Sequence, residues 1–252
     1  MSRMTYLEAG REAVLQAMRA DPTVWCVGED LGRGGVFGQY KGLAEEFGSA
    51  RIADAPISAA CIMGAALGAA MTGTRPIVEM RFSDFALCAV DELVNQAAKA
   101  RFMFGGRCDD PVVYMEHKNM WALEGEVDLD LDVELGKARL AREGRDLTIV
   151  SWSAAVHGAV EAGETLAAEN ISAEVIDLRS LWPWDKAAVL ASVRKTGRLI
   201  VAQEAVQVGG FGAEVAATVA ERAHAALKAP VKRLGAPRAP IAYAARGLLQ
   251  PA

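Results

Sequence analysis

The sequence lacks the usual marks of a nucleic-acid-binding or membrane protein. Its 27 Lys and Arg residues are outnumbered by 32 Asp and Glu, giving a net charge of −5, whereas a protein that binds a phosphate backbone needs a clustered basic face. The longest uncharged stretch, 57–74, is dominated by Ala and Gly rather than by large apolar residues. We therefore expect neither nucleic acid nor membrane among the partners, and a buried helix over this stretch.

Cysteine is scarce, and no two cysteines lie close together in the sequence. The four cysteines are Cys26, Cys61, Cys88 and Cys108. Three of them lie in apolar runs, where a small buried side chain is typical, so we expect reduced cysteines in protein cores. The first residues contain no apolar signal core. These two features together predict a cytoplasmic protein.

The sequence offers few metal ligands or catalytic histidines. Only His117, His157 and His224 are present, and none has an Asp, Cys or Ser placed to orient or use it, so each is predicted to be a surface or capping residue. The acidic segment 124–134 lacks the spacing of Gly and bidentate Glu that a calcium loop needs. We therefore predict no metal site in this chain.

What is present is an alternation of apolar strands with amphipathic helices. Because such an alternation requires right-handed crossovers, it predicts an α/β fold with two domains whose sheets are mostly parallel. In the first half the predicted helices are 5–20, 41–47, 58–72 and 84–100, and the predicted strands are 23–27, 77–80 and 111–115. In the second half the strands are 147–152, 173–178, 198–202 and 231–234, and the helices are 155–169, 186–195 and 212–227.

Several strings, taken together, resemble the β-type subunit of the decarboxylase component of 2-oxo acid dehydrogenases, which depends on thiamine diphosphate (ThDP). This family includes the pyruvate, branched-chain 2-oxo acid and acetoin dehydrogenases. The matching strings are VGEDLGRGGVFGQYKGL (27–43), DAPIS with GAALG (54–68), TGTRPIVEMRFSDF (72–85), VNQAAKARFMFGG (94–106), YMEHK (114–118), VIDLRSLWPWD (175–185), KTGRLIVAQEA (195–205) and GGFGAE (209–214).

The resemblance implies two three-layer α/β domains. We expect a transketolase-like pyrimidine-binding domain at 1–123, a linker at 124–144 and a transketolase C-terminal-like domain at 145–252. It also implies a heterotetramer with an α-type decarboxylase subunit and a second copy of the chain, docked on a lipoyl-bearing acyltransferase core. ThDP would be shared with the α-type subunit, which would hold the diphosphate and its Mg²⁺, so the absence of a Gly-Asp-Gly diphosphate motif here is expected.

The resemblance assigns three residues to the cofactor pocket. Ile57 matches an apolar residue near the cofactor, and Phe85 matches the aromatic residue that stacks on the aminopyrimidine ring. Ala59 lies where the family has its catalytic Glu, whose carboxylate shares a proton with the pyrimidine and activates the cofactor. No catalytic residue of the family is therefore intact. Without the surrounding strings, Ile57 and Phe85 would be interpreted as ordinary core residues, since apolar residues mostly lie in the core; with the strings, the cofactor pocket is favoured.

A second departure from the family is a missing segment. After the string that ends at Gly106, the family continues with a glycine-rich loop that carries a substrate-facing His, and with further strands and helices. Here Gly106 is separated from Asp110 by only three residues. The pyrimidine-binding domain is thus shortened between 106 and 111. We expect the strand 111–115 to take the place of the missing strand, because an open apolar sheet edge is usually avoided.

Three hypotheses about function follow. The first is ThDP-dependent oxidative decarboxylation of a 2-oxo acid, pyruvate-like or acetoin, with acyl transfer to a lipoyl group. The second is a catalytically inactive member that serves as a scaffold or regulatory subunit. The third is an engineered or edited form of an active enzyme. The identity of the 2-oxo acid is not determined by any motif in this chain.

Overall fold

The computed structural model describes residues 2–106 and 111–239, and it divides the chain into two compact units, Met1–Asp130 and Leu131–Ala252. The helices are α1 (Tyr6–Ala20), α2 (Leu43–Phe47), α3 (Ala59–Met71), α4 (Ser83–Ala86), α5 (Ala98–Met103), α6 (Ala155–Ala168), α7 (Lys186–Thr196) and α8 (Gly212–Ala223). The strands are β1 (Ser2–Thr5), β2 (Val24–Gly28), β3 (Ile52–Asp54), β4 (Arg75–Val78), β5 (Glu124–Val127), β6 (Arg139–Arg142), β7 (Leu147–Ser151), β8 (Ala173–Asp177), β9 (Leu199–Val206) and β10 (Lys232–Ala236). The α/β fold with parallel sheets is confirmed.

In the first unit, α1 begins at a capping box. The Glu8 amide donates to the Thr5 hydroxyl, and the Glu8 carboxylate accepts from the Thr5 amide, so two otherwise free donors are satisfied. The helix ends at Asp21, whose carboxylate accepts hydrogen bonds from the Thr23 amide and hydroxyl. Its apolar face closes a core formed by Met18, Val24, Cys26, Leu31, Tyr40, Leu43 and Ile52.

The sheet beneath this core has the order β3-β2-β4, with all three strands parallel. Cys26 of the central strand lies between Ile52 and Ile77. Helix α3 connects β3 to β4 and packs through Ile62 and Ala66 in a small cluster with Val27. Because the strands are parallel, their carboxyl ends meet at one edge of the sheet, where ligand sites of α/β proteins usually lie.

The predicted strand 111–115 is wrong. These residues form no strand, and the Val112, Val113, Tyr114 and Met115 side chains are 68–72% exposed. They do not pair with β4, which has only β2 as a neighbour in the part of the chain that the structure describes. Tyr114 is instead drawn to the start of α1, where its hydroxyl lies 2.7 Å from that of Tyr6. The expected replacement of the missing strand is therefore not observed.

Two other expectations need correction. The helix predicted at 84–100 is divided into α4, a 3₁₀ turn at Leu87–Ala89, a π-helical turn at Glu92–Ala97 and α5. Each such break changes the direction in which the following side chains point. Here the small residues Ala89, Ala97 and Ala100 are buried. The second correction concerns cysteines: Cys26 is buried, but Cys61 and Cys88 are exposed, and Cys108 lies outside the described residues.

The segment 124–144, predicted as a linker, contains two strands. β5 pairs antiparallel with β1, placing Gly125 opposite Met4. β6 pairs antiparallel with the edge of the second sheet at β8.

In the second unit, the five-stranded sheet has the order β10-β9-β7-β8-β6, and β6 is its only antiparallel member among the described strands. Its larger core is formed by Val150, Ile176, Leu178, Trp184, Val189, Leu190, Val193, Leu199, Val201, Val215, Val219 and Ala223. Across 2–106 and 111–239, no helix is long and apolar enough to cross a membrane.

Candidate functional site

Charged side chains collect where β2 and β4 end. Glu29 and Asp30 follow β2, and Arg81 follows β4. The Arg81 guanidinium lies 3.1 Å from the Asp30 carboxylate and 3.7 Å from that of Glu29. Because the Arg81 and Glu29 side chains are only 16% and 11% exposed, this ionic group is held in a partly dry environment.

Glu79 lies at the base of the same edge. Its amide donates to the Val27 carbonyl, and its carboxylate accepts from the Gln39 amide at 3.4 Å. Burial raises the pKa of Glu79, since the charged form is desolvated. Position 28, beside Glu79, has no room for a side chain larger than that of glycine, because a Cβ added to Gly28 would lie 2.9 Å from the Glu79 Cβ.

An aromatic group closes the outer side of this edge. The Phe37 ring packs edge-on against Phe82 at 6.3 Å and Trp121 at 5.0 Å, measured between ring centroids. Phe85 in turn packs edge-on against Phe82 at 5.4 Å. The Lys118 ammonium lies among these rings, and desolvation lowers its pKa.

The structure places the three predicted site residues at the start of α3 and in α4. Ile57 precedes α3 and is 87% exposed, and Ala59 is the first residue of that helix. Phe85 lies in α4, half-buried against Phe82. An exposed aliphatic side chain and an aromatic ring suit the faces of a heteroaromatic ring. The methyl group of Ala59, however, has no atom that can share a proton.

The residues next to Ala59 do not supply the missing group. The Ser58 hydroxyl donates to the Pro56 carbonyl at 2.8 Å and does not cap α3, which differs from the role its position suggests. The Asp54 carboxylate accepts from the Gly32 amide at 2.8 Å and so holds the glycine-rich loop after β2. Both side chains are therefore engaged with the backbone.

Apart from Phe85, the charged and aromatic residues around Glu79 were not predicted from the sequence. Polar residues directly after two adjacent parallel strands were the available signal. Lys118 lies in a string that resembles the family, but that string suggests no role for it. The histidines lie apart: His157 and His224 are exposed in the second unit, and His117 is half-buried beside Lys118. No group of His, Cys, Asp and Glu within the described ranges could hold a metal ion.

The chain matches two known protein-domain families. The family "Transketolase, pyrimidine binding domain" matches residues 2–118, and "Transketolase, C-terminal domain" matches residues 136–252.

Similar proteins in bacteria cover almost the whole chain. The 2-oxoisovalerate dehydrogenase subunit beta of Bacillus subtilis is 35% identical, over 95% of this chain and 91% of the relative. The pyruvate dehydrogenase E1 component subunit beta of Staphylococcus epidermidis is 34% identical, over 94% and 90%. The acetoin:2,6-dichlorophenolindophenol oxidoreductase subunit beta of Cupriavidus necator is 35% identical, over 92% and 88%.

The alignment with the Bacillus subtilis protein also supports a missing internal segment. It spans 298 positions, and a chain of 252 residues leaves at least 46 of them unfilled.

A solved structure, a split gene transketolase described as an inactive beta4 tetramer, shares the fold with a TM-score of 0.69, at 22% identity over 91% of this chain and 88% of that one.

Proposed function

Since the chain belongs to the β-type subunits of 2-oxo acid dehydrogenases, with their transketolase-like domains, we propose that it assembles with an α-type subunit to bind ThDP. The observation that carries this proposal is the near end-to-end match to β subunits at 34–35% identity. The holoenzyme would decarboxylate a 2-oxo acid and transfer the acyl group to a lipoyl group of an acyltransferase core. A second copy of this chain would complete a heterotetramer.

Ile57 and Phe85 are the residues that would hold the pyrimidine ring. Phe85 would stack on the ring, and the exposed Ile57 would add an apolar contact. Bound ThDP would supply the electron sink for decarboxylation, and the diphosphate and Mg²⁺ would be held by the α-type subunit. This chain would therefore contribute orientation and exclusion of water at the ring.

Ala59 limits what the assembled site can do. A carboxylate at this position would share a proton with the pyrimidine, a contribution of about 10²–10⁴ in rate for a positioned acid or base. Because Ser58 and Asp54 are engaged with the backbone, neither replaces it. We propose that turnover by the chain is at least about 100-fold below that of a variant with the carboxylate restored.

A second candidate is a non-catalytic β-type subunit that retains only the partner surfaces. The observation in its favour is the joint loss of the carboxylate at position 59 and of at least 46 aligned positions. This candidate predicts a stable complex with an α-type subunit but little affinity for ThDP.

Reconstitution with an α-type subunit separates these candidates. The native chain and the Ala59→Glu variant would be compared for complex formation by sedimentation, for ThDP binding by calorimetry, and for decarboxylation of pyruvate, branched 2-oxo acids and acetoin. Tight ThDP binding with weak turnover that rises in Ala59→Glu supports the first candidate. Complex formation without ThDP binding supports the second, and failure to bind any α-type subunit contradicts both.

The proposal that the chain is an edited form of an active enzyme has a direct test. An intact mass of the natural protein that agrees with 26.7 kDa excludes an internal segment beyond this sequence. A larger mass supports an edited chain, and the active-enzyme hypothesis would then hold for the natural protein.

A further inference from the structure

The Lys118 ammonium is enclosed by three aromatic rings, which we name the aromatic cage: Phe37, Phe82 and Trp121. The nitrogen lies 3.2 Å from the centroid of Phe82, 4.4 Å from that of Phe37 and 5.9 Å from that of Trp121. All three distances fall within the range in which a ring face attracts a cation. Sites that recognise organic ammonium ligands have this arrangement.

The Lys118 ammonium lacks the hydrogen bonds that a buried ammonium normally makes. Its nitrogen is shielded from solvent and has no hydrogen-bond partner among the described residues. An ammonium has three donors, and leaving them unpaired costs free energy. The cage therefore holds a lysine that gives up its hydrogen bonds, whereas a quaternary ammonium in place of the lysine has no N–H donors to leave unpaired.

The surrounding charges also favour a cation. Among the described residues, Glu79 attracts a cation at this position and Arg81 repels one, but Arg81 is itself paired with the Glu29 and Asp30 carboxylates. Attraction between Glu79 and Lys118 opposes the effect of burial on the lysine.

The cage is open enough to be entered. Phe37 and Phe82 are 41% and 40% exposed. Lys118 begins a single 3₁₀ turn, Lys118–Met120, which follows a segment without regular structure. Withdrawal of the lysine side chain therefore requires no rearrangement of a helix or strand of the sheet.

We propose that the aromatic cage is a binding site for organic ammonium cations and that Lys118 occupies it in the free chain as a tethered competitor. A tethered group acts at an effective concentration in the millimolar range or above. An external cation can therefore bind only if it displaces the Lys118 ammonium from the cage. The apparent affinity of the native chain for such a ligand is then lower than that of a chain without the lysine.

The test uses choline and its uncharged isostere 3,3-dimethyl-1-butanol, titrated calorimetrically into the full chain. The Lys118→Ala variant is expected to bind choline at one site, at least about 10-fold more tightly than the native chain does. It is also expected to prefer choline to the alcohol by at least about 10-fold. A second change, Phe82→Leu, in the same background is expected to remove choline binding, and Lys137→Ala serves as the control for loss of an exposed lysine. Near-ultraviolet circular dichroism verifies that each variant is folded.

A measurement on the unaltered chain keeps the proposal testable if the variant does not fold. Reductive methylation, read by peptide mass spectrometry, should modify Lys118 at least about 10-fold more slowly than exposed Lys137, and choline should accelerate it at Lys118 alone. Methylation of Lys118 at the rate of Lys137 contradicts its enclosure. Equal binding of choline and the alcohol, or no choline binding by a folded Lys118→Ala chain, would overturn the site.

Discussion

The three-stranded sheet of the first unit and the five-stranded sheet of the second differ in how completely the apolar residues around them are covered. In the second unit, the five-stranded sheet buries Val150, Leu178 and Val201 completely. In the first unit, the sheet has three strands, and the apolar residues 112–115 that follow the shortened segment remain exposed. Both units have a packed core, but among the described residues only in the first do four consecutive apolar residues, 112–115, lie 68–72% exposed, which is surface of the kind that marks an interaction site.

This difference teaches that the departures at positions 57 and 59 of the first unit lie outside its packed core. The core around Cys26 and Ile52 is intact, and α1 retains its capping box. Ile57 and Ala59 lie at the start of α3, and under the proposed function they would face the cofactor. Core packing and the proposed site chemistry thus depend on different residues, so a change at a site residue need not disturb the core.

The largest effect is expected from breaking the packed core of the second unit. Leu178→Ala removes a side chain that is 0% exposed and should lower the free energy of unfolding by about 3 kcal/mol, since a cavity adds to the lost transfer energy. The matched change Met115→Ala, at a position 72% exposed, should alter it by less than about 0.5 kcal/mol. Denaturant unfolding of both variants provides the measurement. Similar losses in the two would show that residues 111–115 are packed in solution.

The ionic group at the edge of the first sheet should produce the next largest effect. Arg81→Met leaves the Glu29 carboxylate, whose side chain is 11% exposed, without its cation. A buried unpaired charge is costly, and with Asp30 half-exposed we expect a loss of about 2 kcal/mol. Arg3→Met, which removes a pair whose side chains are 73% and 54% exposed, is the control and should change little. An equal loss in both would contradict the partly dry environment of Arg81.

Much of the fold was predictable from the sequence, because strong local signals determined it. The helix stop at Asp21-Pro22 and the regular alternation after residue 147 specified α1 and the second sheet. The conformation of 111–115 could not be predicted from the sequence. An apolar run forms a strand only if it can hydrogen-bond to the edge strand of a sheet, and the sequence does not show whether it does. Here the contact of Tyr114 with Tyr6 holds the segment elsewhere.

The candidate site was only partly predictable. Ile57, Ala59 and Phe85 came from resemblance to a family, and their roles remain predictions. The cage around Lys118 joins residues more than 80 positions apart in the chain, such as Phe37 and Trp121. No local pattern identifies such a contact, because aromatic residues at these positions are equally typical of a core.

A smaller effect should distinguish two glycines of the first unit. Gly28→Ala places a Cβ 2.9 Å from that of Glu79 and 3.3 Å from its backbone oxygen, so the variant should lose about 1–2 kcal/mol of stability. Gly68→Ala, in the interior of α3 with no atom within 4 Å of the added carbon, should instead gain about 0.5 to 1 kcal/mol. Thermal and denaturant unfolding measure both. A neutral Gly28→Ala would mean that β2 and β4 approach less closely than observed.

The smallest expected effect is a pH dependence that isolates Glu79. Burial raises the pKa of Glu79 in the folded chain above its ordinary value of 4.5. At a pH between 4.5 and the raised pKa of the folded chain, the folded state therefore binds more protons than the unfolded state. Stability from this group is therefore present below about pH 4.5 and declines as the pH rises through the raised pKa. The Glu79→Gln variant should lack this decline, so its free energy of unfolding relative to the native chain should increase with pH across the window. The opposite slope would indicate that Arg81 and Lys118 dominate over burial and lower the pKa of Glu79.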